Sequence, residues 1–111
     1  MTFETRYASP GPSRADIDAL TEPTVLEFGT PWCGWCRAAQ PLIADALARR
    51  KYLHHLKVED GPGRALGRSF GVKLWPTLVF LRGGREVARL VRPHDTAALE
   101  RAFDAVDSGG A

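Results

Sequence analysis

Hydrophobic and polar positions change period several times along this chain, and each change marks an element. "YASPGPS", residues 7–13, has no period: two prolines and a glycine exclude regular structure and make a turn-rich lead-in. Ser13 precedes "RADIDAL", with Asp16 three positions on, which reads as a capped short helix. "TVLEF", residues 24–28, is β-branched and apolar apart from Glu27, the pattern of a buried strand. From Cys33 to Lys51 the period turns helical, with Ala38, Ala39, Leu42, Ile43, Ala46 and Leu47 recurring at three- and four-residue spacing. Pro41 lies inside this helix and is expected to kink it, because it removes a backbone bond and crowds the preceding turn. "YLHHLKVE", residues 52–59, reads as a second strand and "GRALGRSFGV" as a short glycine-punctuated helix. "PTLVFL", a turn at Gly83-Gly84 and "REVARLV" read as a hairpin. The last helix starts near Asp95 and gathers Leu99, Ala102, Phe103 and Val106 on one face, leaving residues 107–111 as a frayed tail. Residues 1–12 are irregular, or contribute an extra edge strand at "TFETRYA".

This order predicts an α/β domain with a central mixed sheet flanked by helices. Strands joined through helices are expected to run parallel and the terminal hairpin antiparallel. At 111 residues the chain makes a single domain, residues 1–111, around one modest core. With 44% hydrophobic and 25% charged residues, neither disorder nor a fibrous fold is indicated. The net charge of +2 is spread along the sequence without a basic block, which argues against nucleic acid as a partner. No stretch approaches the roughly 18 apolar residues of a membrane span, and the first twenty residues hold no signal-peptide core, so the expectation is a soluble, cytoplasmic protein with no membrane partner. Arginine outnumbering lysine and abundant alanine point to a GC-rich bacterial genome.

The chemistry concentrates in "PWCGWC", residues 31–36, which contains both cysteines of the chain. In a cytosolic protein thiols are kept reduced, and disulfides are mostly transient and catalytic. A strand, a short loop and a helix place Cys33 at the helix N-terminus, where unsatisfied N–H groups and the helix dipole favour a thiolate; it is the expected nucleophile. Cys36 follows about 4.5 Å along the axis on the same face, within reach to resolve a mixed disulfide formed at Cys33. Taken alone, the pair could also be half of a zinc site. The histidines available for the other half are His54, His55 and His94, and the first two point to opposite faces of a strand, so at most one could join His94. No metal is expected.

"VLEFGTPWCGWC" resembles the active-site segment of the thioredoxin family, and the likeness extends past the motif. Pro41 falls where the family bends its helix, and "GVKLWPT" resembles the segment around the family's cis proline, so the resemblance covers roughly residues 13–107. It implies the thioredoxin fold and a monomeric thiol-disulfide oxidoreductase that reduces protein disulfides through a Cys33/Cys36 dithiol-disulfide cycle. A thioredoxin reductase or a low-molecular-weight thiol would supply electrons, and no bound organic cofactor is required. The resemblance further implies that Pro76 is cis and presents the backbone of Trp75 to an extended substrate segment. Glu27, six residues before Cys33, becomes a buried acid whose desolvation suits it to exchange the Cys36 proton. Trp32, Gly34, Trp35 and Trp75 line the substrate site, the indoles as an aromatic rim.

Three departures from the family pattern stand out. Gly34-Trp35 occupies the place of Gly-Pro in reducing thioredoxins and Gly-His in oxidising isomerases, which leaves the direction of electron flow open. Arg92 and Pro93 replace a glycine of close approach, so that Arg92 either lies solvated on the surface or crowds the site and attracts acidic substrates. Lys57 and His55 are both candidates for the charged partner of Glu27. A second reading is a noncatalytic binding module of the same fold, in which the cysteines only switch affinity for a partner.

Overall fold

A computed structural model describes residues 4–107. The elements are α1 (Arg14–Asp18), β1 (Thr24–Gly29), α2 (Gly34–Ala48), β2 (His54–Glu59), α3 (Ala65–Ser69), β3 (Thr77–Arg82), β4 (Arg85–Val91) and α4 (Thr96–Asp107). They form one four-stranded mixed sheet, in the order β2-β1-β3-β4, with helices on both faces.

Local chemistry accounts for most boundaries. Ser13 and Asp16 close a reciprocal capping box at the start of α1, the Ser13 hydroxyl accepting from Asp16 N at 3.1 Å and Asp16 Oδ2 accepting from Ser13 N at 3.1 Å. Asp95 Oδ1 accepts from Ala98 N at 2.8 Å ahead of α4. Gly83 and Gly84, with φ of 58° and 76°, supply the two left-handed positions that a tight hairpin turn needs between β3 and β4.

The strand directions correct one expectation. β1 and β2 are parallel, and β3 and β4 antiparallel, but β3 runs antiparallel to β1 although a helix separates it from β2. The connection between β2 and β3 carries only the five-residue α3, about 7.5 Å long, and the chain does not cross back along the sheet before β3 begins. It stays at the end where β1 and β2 finish. That puts the segment before Thr77 beside the loop between β1 and α2.

Other boundaries move less. α2 ends at Ala48 and runs through Pro41, and β2 begins at His54 rather than at residue 52. Asp107 is the last residue of α4 and not part of a tail; residues 108–111 lie outside the described residues, as do Thr2 and Phe3 of the proposed edge strand. What remains of that strand is a single bridge in which Ala8 N donates to Lys57 O at 2.8 Å and Ala8 O accepts from Glu59 N at 3.0 Å.

Two apolar layers follow from period-two alternation in the strands. Val25, Leu78 and Phe80 pack under α2 and α4 with Ile43, Leu47, Leu99 and Phe103; Leu26, Phe28, Val79 and Leu81 face Ile17, Leu66 and Phe70 of α1 and the α3 region. Phe80 and Phe103 meet edge to face at 5.1 Å between centroids, worth about 1 kcal/mol beyond their burial. The same alternation decides where Glu27 goes. It lies on the Val25 side of β1, so its carboxylate is buried beneath α2 and cannot reach solvent.

Candidate active site

Cys33 is the N-cap of α2, and its Sγ accepts from Cys36 N at 3.2 Å. Both cysteines are free thiols. Cys33 is partly exposed and Cys36 is completely buried. The room for Cys36 comes from Gly29: a Cβ built on that residue would stand 2.6 Å from Cys36 Sγ and 3.1 Å from the Tyr7 hydroxyl, so any side chain there would displace one or the other.

Burial pushes the Cys36 thiol up to about 12, and its hydrogen bond to Cys33 adds to this. The main-chain N–H of Thr30 and the hydroxyl of Tyr7 oppose the rise, because both donate to the sulfur and favour its anion. Tyr7 is itself held well above the ordinary phenol range, first by burial and then by the charges of Glu27 and Cys36. The Lys57 ammonium lies 4.3 Å from the centre of the Tyr7 ring.

Behind Cys36 runs a polar chain whose donors can be assigned. Lys57 Nζ can only donate, so the atom it meets at 2.8 Å on Gln40 is Oε1. Gln40 Nε2 therefore faces inward and donates at 2.8 Å to both Glu27 Oε2 and the Cys36 carbonyl. At the other end Glu4 N donates at 2.8 Å to His55 Nδ1, which puts the imidazole proton on Nε2, 2.8 Å from Glu27 Oε1. Both carboxylate oxygens are acceptors. The choice between Lys57 and His55 resolves into a division: both lie on the α2 side of β2, His55 touches Glu27 directly, and Lys57 reaches it through Gln40.

The register of β1 and β3 brings the cis proline to the cysteines. Phe28 pairs with Thr77, so the next residues outward, Gly29 and Pro76, are neighbours, and the Trp75-Pro76 peptide is cis beside the sulfur that Gly29 admits. Pro76 is buried and Trp75 half-buried, its Nε1 donating to Asp60 Oδ2 at 2.9 Å. Trp32 and Trp35 are 69% and 58% exposed, too open for a core role. Gly34 opens α2, and a Cβ added to it would meet nothing within 4 Å, so packing does not require a glycine there. Among the described residues, no group of three or more His, Cys, Asp or Glu side chains could hold a metal ion.

Sequence reasoning missed Tyr7, Gln40, Thr30 and Gly29. Gln40 was findable, since it lies four positions after Cys36 on the same face of α2, and Gly29 is two positions after Glu27 on the same face of β1. Tyr7 carries no such signal, because it belongs to an aperiodic segment. Its contact predicts that Tyr7→Phe, which keeps the ring beneath Lys57, raises Cys36 further and slows the resolution of a mixed disulfide about fivefold, the worth of one neutral hydrogen bond. Single-turnover release of a labelled substrate thiol would read this; an unchanged release rate would remove the hydroxyl from the chemistry.

Comparison with known proteins agrees with this geometry. Residues 13–105 match the thioredoxin family model. The structure of thioredoxin 2 from Pseudomonas aeruginosa PAO1 in its reduced form superposes with a TM-score of 0.85 at 57% identity, covering 97% of this chain and 100% of that one. Thioredoxin H-type 1 of Nicotiana tabacum is 34% identical over 67 residues, which are 60% of this chain and 53% of that protein. The bifunctional thioredoxin reductase/thioredoxin of Mycobacterium leprae is 31% identical over 88 residues, or 78% of this chain and 19% of that protein. This chain thus spans about half the length of the tobacco relative and about a fifth of the mycobacterial one. With its family match running from the cap of α1 into α4 and its cysteine pair seated on the cap of α2, the chain belongs to the thioredoxin family.

Proposed function

We propose that the chain is a thiol-disulfide oxidoreductase that reduces protein disulfides. One observation carries the reading: a reachable Cys33 stands on the α2 cap directly over a wholly buried Cys36 that keeps its proton. The two sulfurs are thereby given different tasks.

Cys33 Sγ attacks one sulfur of the substrate disulfide, and the other leaves with the bonding electron pair and takes up a proton. While Cys33 is a free thiol its hydrogen bond helps to hold the Cys36 proton; once Cys33 is tied up in the mixed disulfide that bond is gone, and the Thr30 N–H and Tyr7 hydroxyl remain to stabilise the anion. Glu27, placed one Gln40 away from the Cys36 carbonyl, receives the proton directly or through water. Cys36 Sγ then attacks Cys33 Sγ, the second substrate sulfur departs, and the chain is left with a Cys33-Cys36 disulfide and two electrons fewer. Trp75-Pro76 offers the backbone edge on which an extended substrate segment lies during both steps.

A thioredoxin reductase, or a low-molecular-weight thiol, restores the dithiol. The mycobacterial relative, which by its name joins a thioredoxin reductase and a thioredoxin, supports the first of these donors. The working form is a monomer in the cytoplasm of a bacterium, serving electron transport and redox homeostasis with no bound cofactor.

Tryptophan fluorescence titrated against glutathione buffers of known potential tests the reading, because Trp32 and Trp35 flank the sulfurs in the chain. A single two-electron transition is expected, with a midpoint near about −270 mV for a reductant; a midpoint near about −180 mV would reassign the chain as an oxidant or isomerase. Two free thiols at every potential would overturn the proposal.

A further inference from the structure

Arg92 has a φ of 51°, in the left-handed region, which a residue with a bulky side chain occupies only when surrounding contacts hold it there. Three contacts do so. Its N–H donates to Pro76 O at 2.9 Å, its Nε donates to Trp75 O at 2.8 Å, and its guanidinium carbon lies 4.7 Å from the centre of the Trp35 ring. The side chain is therefore fastened across the cis-proline edge and against the aromatic rim, and is not a loose surface arginine. Nη1 and Nη2 bond to nothing among the described residues. The Asp60 carboxylate is engaged at the indole nitrogen of Trp75, where Oδ2 accepts at 2.9 Å.

We propose that Arg92 reads an acidic side chain of the protein substrate: the pinned guanidinium presents Nη1 and Nη2 to an Asp or Glu carboxylate on the extended segment that carries the disulfide. A planar fork with two parallel donors matches a carboxylate, and Nε and the stacked face are already committed to the protein, so little side-chain freedom remains to be lost on binding. The same contact acts against other partners. Arg92 holds one acceptor site of the Trp75 carbonyl, the group that a substrate amide would take in strand addition, so a neutral segment has to share or displace it. A basic segment adds like-charge repulsion at the same place. An acidic segment satisfies the free end of the fork and leaves Nε where it is. The inference rests on the disulfide-reductase reading and names the substrate class for it.

The test uses two disulfide-linked peptides that differ only in a Glu or a Lys beside the attacked cysteine, and a small uncharged disulfide as a third substrate. The chain is expected to favour the Glu peptide by about tenfold in kcat/KM at low ionic strength, and by less as salt screens the pair. Arg92→Gly adopts a φ of this sign without strain and is expected to cut the ratio below about twofold. Arg92→Lys, which keeps the charge without the fork, should fall between, and provides a second folded variant. Equal rates for the two peptides, or the same ratio in Arg92→Gly as in the native chain, overturn the role of Arg92. Failure to reduce the small disulfide overturns the oxidoreductase reading itself and the inference with it, so the two failures are distinguishable.

Discussion

Cys36→Ser is expected to stall the chain as a covalent complex with a disulfide substrate. The first step needs only Cys33, which keeps its place on the α2 cap and its exposure, so the mixed disulfide still forms. The second step needs a sulfur nucleophile held against Cys33 Sγ, and a serine hydroxyl cannot take that part. Because intramolecular attack by a positioned group carries an effective molarity of about 10⁵ M or more, steady-state turnover is expected to fall by at least about a thousandfold. The fold survives, since the smaller hydroxyl keeps the Thr30 N–H and the Tyr7 hydroxyl as partners in a site already shaped by Gly29. Non-reducing electrophoresis and intact mass would show an adduct that dithiothreitol releases, while Cys33→Ser should show none. A noncatalytic module would trap nothing in either variant, and that result would sink the enzyme reading.

How much of this site was legible beforehand depends on the kind of signal each part carries. Periodicity revealed every helix and strand named above, and with it the positions of Cys33, Cys36 and Glu27 on a helix cap, a helix face and a strand. It could not reveal the direction of β3, since a short glycine-punctuated helix between two strands does not say at which end of the sheet the next strand begins. Family likeness pointed to Pro76, and the cis bond agrees. It did not point to Tyr7, because a residue from an aperiodic segment reaches Cys36 only through the fold, by way of the bridge that ties Ala8 to β2. Arg92 was visible as a departure from pattern, but the sequence alone left it as readily a solvated surface residue. Only the capped Trp75 carbonyl and the stacked Trp35 ring distinguish the two. Lys57 and His55 remained an undecided pair for a related reason: same-face alternation cannot say which side chain is the shorter path to a carboxylate and which needs Gln40 between.

Glu27 carries the other large expected effect, and its two substitutions separate structure from chemistry. Glu27→Ala removes the acceptor that His55 Nε2 and Gln40 Nε2 meet at 2.8 Å, with the Lys57 ammonium one residue further out. Removing a fully buried, hydrogen-bonded carboxylate in this way costs about 3–5 kcal/mol, which in a domain of this size lowers the melting temperature by roughly 15–30 °C. Glu27→Gln keeps the volume and one acceptor but turns an NH₂ group toward a donor, so its cost is smaller, about 1–3 kcal/mol, and the chain stays folded at room temperature. In that folded variant the first attack by Cys33 is expected at its native rate, because no contact links Glu27 to Cys33 among the described residues. Resolution by Cys36 is expected to slow about a hundredfold, the worth of one positioned proton acceptor, and to become steeply dependent on hydroxide since burial still holds the thiol above its ordinary range. Rapid-quench measurement of the two steps across pH gives the answer. Native-rate resolution in Glu27→Gln would confine the carboxylate to holding His55 and Gln40 in place.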